Sequence, residues 1–142
     1  MTVTTLADIE NGIGNTPSNA SSFLVTRIAE LQYKKLDQFD VEDIRICIGQ
    51  DGLWKDKSLR ILISLAIVEL DKNLLAEGDM YEGDLLESVF RVRSEFWTKN
   101  KDLHEQVILL FERSRDHINL QSISDRIRKE LFESFSAFKA IS

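Results

Sequence analysis

The chain has 142 residues, 43% apolar and 30% charged, with a net charge of −6, a single cysteine, a single proline and six glycines. That length suits one domain whose core needs no disulfide or structural metal, and so few glycines and prolines argue against a many-stranded fold with a turn every ~8–12 residues. The excess acid is local: residues 101–142 hold seven Lys+Arg and seven Asp+Glu, whereas Glu69 to Glu87 alone hold seven acids and one base, Lys72, so this face suits either attraction of a basic protein or plain solvation, and direct binding to nucleic acid is not expected.

The start, MTVTTLADIENG, lacks the basic residues and apolar core of an export signal, so a cytoplasmic location is expected. Residues 1–20 read as an N-terminal arm, with a short helix around Leu6 to Asn11 and then a loop in GIGNTPSNAS, residues 12–21. Asn19-Ala20-Ser21 matches a glycosylation acceptor, which means nothing without export. From Ser22 a helix is expected, because Leu24, Ile28 and Leu31 recur at i, i+4 and i+7; Lys34 and Lys35 suit its C-terminal end. In FDVEDIRICIGQDG, Asp40 can cap a helix with Asp43 three residues on, in the manner of a capping box. Val41, Ile44 and Ile48 then share a face, although Ile44, Ile46 and Ile48 also alternate as in a strand. Cys47 reads as a small core residue, and Gly49 as a stop.

Within residues 58–72 only Ser58, Arg60, Ser64, Glu69, Asp71 and Lys72 are polar, the pattern of a helix at the centre of a helical domain. Its apolar stretch, Leu59 to Leu70, is too short for the roughly 20 residues of a membrane span and contains Arg60 and Glu69. The acidic loop AEGDMYEGD, residues 76–84, separates it from the next helix. Asp84 and Glu87 form a D-x-x-E pair that is expected to cap a helix starting at Leu85. Leu85, Leu86, Val89, Phe90 and Phe96 supply its buried side, and Trp97 ends it. A further helix is expected from Lys101 to Arg115, with Leu103, Val107, Leu110 and Phe111 inward. The last helix has one continuous stripe, Leu120, Ile123, Ile127, Leu131, Phe135 and Phe138. Together these elements predict an all-α fold: a single compact helical domain of five to seven helices over residues 21–142, preceded by the arm.

The chemistry-bearing residues are few. EGDMYEGDLLE lacks the alternating ligand order and glycine turn of a calcium loop. Two carboxylates could do acid–base work only in a cleft around a positioned substrate, which nothing here implies. His104 and His117 stand 13 residues apart, not the three or four of a helical zinc site. No nucleophile elbow, phosphate loop or Cys–His pair at a suggestive spacing is present. The expectation is therefore a binding protein, not an enzyme, with no catalytic residue, metal or cofactor. Capping accounts for Asp84 and Glu87 and leaves Glu77, Asp79, Tyr81 and Glu82 as the candidate partner-binding set; Asp40, Asp43, Asp84 and Glu87 are structural. Trp54, Tyr81 and Trp97, at element edges, suit either binding anchors or lids on the core. Arg91 and Arg93 read as solvated charges.

FDVEDIRICIGQ, LISLAIVEL and LLAEGDMYEGDLLESVFRVRSEFW resemble the bacterial contact-dependent growth inhibition immunity proteins. The resemblance rests on Phe39, Val41, Glu42, Asp43, Ile44, Arg45, Ile48, Gly49 and Gln50. It continues through Glu77, Gly78, Asp79, Tyr81, Gly83, Asp84, Leu85, Leu86, Phe96 and Trp97 and spans residues 20–97. Ser64 stands where that family often has proline, Asn73-Leu74 replaces Asn-Pro, Glu82 replaces a proline, and WKDKSLR at 54–60 is longer than its counterpart. The resemblance implies a cytoplasmic protein that binds and neutralises the C-terminal toxin domain of its own system, such toxins often being nucleases. A helical adaptor or regulatory module for another basic protein is the alternative.

Overall fold

A computed structural model describes residues 4–11, 21–120 and 123–142, with the backbone alone for 117–120. The loop expected at 12–21, apart from Ser21, lies outside the described residues, as do the first two residues of the Asn19-Ala20-Ser21 pattern and the His117 side chain. Among the described residues eight α-helices follow in chain order: α1 (Leu6–Ile9), α2 (Ser22–Gln32), α3 (Val41–Gly49), α4 (Asp56–Lys72), α5 (Asp84–Phe90), α6 (Ser94–Lys99), α7 (Lys101–Leu120) and α8 (Asp125–Lys139). Single turns of 3₁₀ helix occupy 36–38 and 51–53, and no strand occurs among the described residues. The all-α expectation holds. Six helices are seven residues or longer, and α1 and α6 are one or two turns each.

Local chemistry explains most of these boundaries. Thr5 and Asp8 close a capping box on α1, and Ser21 and Ser124 accept the N–H groups of Leu24 and Ile127 to start α2 and α8. Asp40 and Asp43 do the same for α3, which decides between its two readings: Ile44, Ile46 and Ile48 are all buried, but on a helix. α4 lacks a cap of its own. The buried carboxylate of Glu10, just past α1, supplies one by accepting the Lys55 N–H at 3.0 Å and the Ser58 hydroxyl at 2.5 Å.

α4 packs on α1, α3, α5 and α7, so it is central as expected. It is not covered all round, since Ser64 and Val68 reach solvent. α5 to α8 close over an aromatic core in which Phe111 stacks on Phe135 at 4.0 Å and Trp97 meets the edge of Phe138 at 4.9 Å. Trp54 and Trp97 are both buried, and the Trp54 indole donates to the Cys47 carbonyl at 2.8 Å. They belong to the core, and neither is a surface anchor.

Three expectations about helix extent change, the simplest being that α7 runs on past the expected Arg115 to Leu120. The helix expected from Leu85 to Trp97 is two, α5 and α6, broken at residues 91–93. There Asp51 accepts the Arg93 N–H at 3.0 Å, and its carbonyl accepts the Arg93 guanidinium at 2.7 Å. Arg93 is thus a tie to the 51–53 turn and not a merely solvated charge. The stripe from Leu120 to Phe138 is also divided. Leu120 ends α7, Ile123 precedes the Ser124 cap, and only Ile127 onward lies on α8.

Candidate functional site

The acidic loop is built on one buried carboxylate. Asp84 is the first residue of α5, after Gly83, whose φ of 90° is a left-handed conformation that glycine adopts without strain. The Asp84 side chain does not cap α5. It turns back and accepts the backbone N–H groups of Gly78 at 2.7 Å, Met80 at 3.0 Å and Tyr81 at 3.4 Å. The expected N-cap is therefore a loop-former, because the left-handed turn at Gly83 places the carboxylate beneath the loop and not over the helix end. Glu87 is buried as well, accepting the Ser134 hydroxyl of α8 at 2.9 Å and pairing with exposed Arg91 at 3.4 Å.

The other side of the loop is held by α3. Arg45 grips Glu42 with two hydrogen bonds, 2.5 and 2.6 Å, and stands 3.6 Å from Asp84. Glu42 also accepts the Asp79 N–H at 3.0 Å. The Arg45 bond holds the Glu42 carboxyl below its usual range, and Glu42 in turn raises the Arg45 guanidinium. VEDIR and EGDMYEGD, separate in sequence, are thus one structural unit. Glu42 and Arg45 carry the resemblance, yet nothing in the sequence marks them as site residues. Their i, i+3 spacing is visible in the sequence, whereas their approach to the loop is not.

Above this base the four candidate partner-binding residues behave differently. Glu77, Asp79 and Glu82 are exposed, and none of them makes an ion pair among the described residues. The Asp79 carboxyl is raised, chiefly by the charge of Glu42. Met80 stands among them 66% exposed. Tyr81 is half-buried and lines an open groove toward α8; burial raises its hydroxyl, with Glu87 adding to the rise and Arg91 opposing it. The remaining acids of the segment are engaged internally. Glu69 pairs with Lys72, Asp71 with Arg113, Asp84 with the loop, and Glu87 with Ser134 and Arg91.

Asp43, the α3 capping partner, is fully buried and binds Arg27 at 2.5 Å and Lys34 at 2.6 Å, so it also ties α2 to α3. Among the described residues no group of three or more His, Cys, Asp or Glu could hold a metal ion. No described helix is long and apolar enough to cross a membrane.

A family model for CDI immunity proteins matches residues 8–107. That span contains α2 to α6, the whole acidic loop and the start of α7. No curated protein and no solved structure matches the chain.

Proposed function

The chain belongs to the CDI immunity proteins, and from this premise we propose that it binds the C-terminal toxin domain of its own contact-dependent growth inhibition system and neutralises it by occlusion, without catalysis. The toxin in this reading is a nuclease met in the cytoplasm. Such an enzyme must hold a phosphate backbone, so its working face is basic. An acidic surface that covers that face competes with the nucleic acid.

One observation supports the acidic loop as part of the contact. Its backbone is fixed by Asp84, Glu42 and Arg45, while Glu77, Asp79 and Glu82 are exposed and make no ion pair among the described residues. A loop already held in shape loses little freedom on binding. Three exposed carboxylates on it accelerate encounter with a basic partner. Tyr81 completes the contact set at the edge of the loop.

Co-expression with the toxic domain of the adjacent gene tests the proposal. Wild-type chain is expected to restore growth. The Glu77→Lys/Asp79→Lys/Glu82→Lys variant, folded normally by its melting curve, is expected to associate about tenfold more slowly at low salt, with a weaker salt dependence. Equal association rates for the two proteins remove the loop from the interface. Failure of wild-type chain to protect or bind removes the proposal itself.

A further inference from the structure

Beside the loop lies a second feature of a different kind. Tyr81, Glu87 and Arg91 form one wall of an open groove of about 690 Å³, and α8 forms the other with Arg126, Ile127, Glu130 and Glu133, so that three acids face two arginines. The floor is amphipathic, since Ile127 packs on the core while keeping part of its surface accessible and Tyr81 is half-buried beside it. The acids are held loosely. Glu130 meets Arg126 at 3.3 Å and Glu133 meets Lys129 at 3.9 Å, both as exposed i, i+4 pairs on one helix. Such pairs are worth only ~0.3–0.5 kcal/mol, so an incoming cation displaces them readily.

Glu87 gives the groove its direction. Only 8% of it is exposed, yet its charge is met by a serine hydroxyl and by Arg91, whose side chain is 75% exposed and approaches no closer than 3.4 Å. A buried carboxylate gains most from a desolvated, well-placed cation. The apolar edge supplied by Ile127 and the ring face of Tyr81 suits the aliphatic stem of a long basic side chain.

We propose that this groove seats a lysine- or arginine-bearing segment of the toxin, its stem along Tyr81 and Ile127 and its charge between Glu87 and Glu130. The inference rests on the toxin-binding reading above and extends the contact beyond the acidic loop. It also brings in α8, which begins at Asp125, beyond the span matched by the family model.

The test is the affinity of the toxin's C-terminal domain for four forms of the full chain: wild type, Tyr81→Ala, Glu130→Lys/Glu133→Lys, and Glu95→Lys/Glu105→Lys. The last changes net charge as much as the α8 variant, on helices that do not line the groove. Melting curves establish that each form is folded, and the exposed α8 pair covers the case in which Tyr81→Ala is not. The expected result is a Kd raised about tenfold or more by Tyr81→Ala and by the α8 pair, with the control within about threefold of wild type. Wild-type binding with the α8 pair also within threefold overturns the groove and leaves the loop reading standing. An equal loss in the control and the α8 pair overturns it too, since net charge then explains the effect. Absence of binding by wild type overturns both readings together.

Discussion

Gly78 shows how closely the loop and α3 are fitted. A Cβ there would fall on the Glu42 Oε1 and within 3.1 Å of both the Arg45 Nε and the Asp84 Oδ2. A flexible glutamate could normally swing away. Glu42 cannot do so cheaply, because two bonds to Arg45 and one to the Asp79 N–H hold it. Gly78→Ala is therefore expected to cost about 1–3 kcal/mol in urea denaturation with an unchanged slope. A loss below about 0.5 kcal/mol would show that the contact yields. Each of these residues is conspicuous in the sequence, Gly78 in a glycine-acid motif and Glu42 with Arg45 as a helical pair. What the sequence hides is that the two motifs touch, since Glu42 and Asp79 lie 37 positions apart. Capping rules covered Asp40 and Asp43 for the same reason that they failed for Asp84. A cap is a local event, and the role of Asp84 depends on the left-handed turn before it.

Between elements, α4 and α7 are joined at their N-terminal ends. Arg60 binds both Asp102 oxygens, at 3.0 and 2.8 Å, and the Asn100 side chain at 2.7 Å, while Asn100 donates to Asp56. The Arg60 hydrogen bonds hold the Asp102 carboxyl down at about 2, against an ordinary 3.8. An acid with a depressed folded-state pKa stabilises the fold fully above its unfolded value and loses that contribution as pH falls. For this pair the window runs from 3.8 down to about 2. NMR titration of Asp102 is expected to give its midpoint near the lower end in wild type and a midpoint shifted upward, toward 3.8, in Arg60→Gln. An unmoved midpoint would show that another group sets it. Most of the helices were legible at this scale, because the 3.6-residue period and the serine and aspartate caps are local. The break between α5 and α6 was not. Val92 and Phe96 continue an apolar pattern across it, and the tie that holds the turn, from Arg93 to Asp51, is long-range. The last stripe ran through Ser124 for the same reason, its spacing surviving a change of helix.

Over the whole molecule, the concentration of acid between Glu69 and Glu87 looked like one surface in the sequence. In the fold it is three things: internal supports at Asp84 and Glu87, pairs at Glu69 and Asp71, and a small outward group at Glu77, Asp79 and Glu82. Composition foresaw the sign of the surface but not this division, which depends on where each helix turns. The groove along α8 left no trace in the sequence, because its walls come from separate segments, with Glu87 and Ser134, which meet across it, 47 positions apart.

The chain also carries a clock. Cys47 is the only cysteine, wholly enclosed in the C-terminal half of α3, and burial above all pushes its thiol up to about 12. Only a thiolate attacks alkylating reagents, so at neutral pH modification has to wait until the helix is exposed. Each tagged molecule then records one opening, countable by mass spectrometry. A partner that engages the folded chain alone is expected to slow the tagging by the factor 1 + [partner]/Kd. Tagging at the speed of a free thiol, whether or not partner is added, would mean that the interior around Cys47 is already accessible.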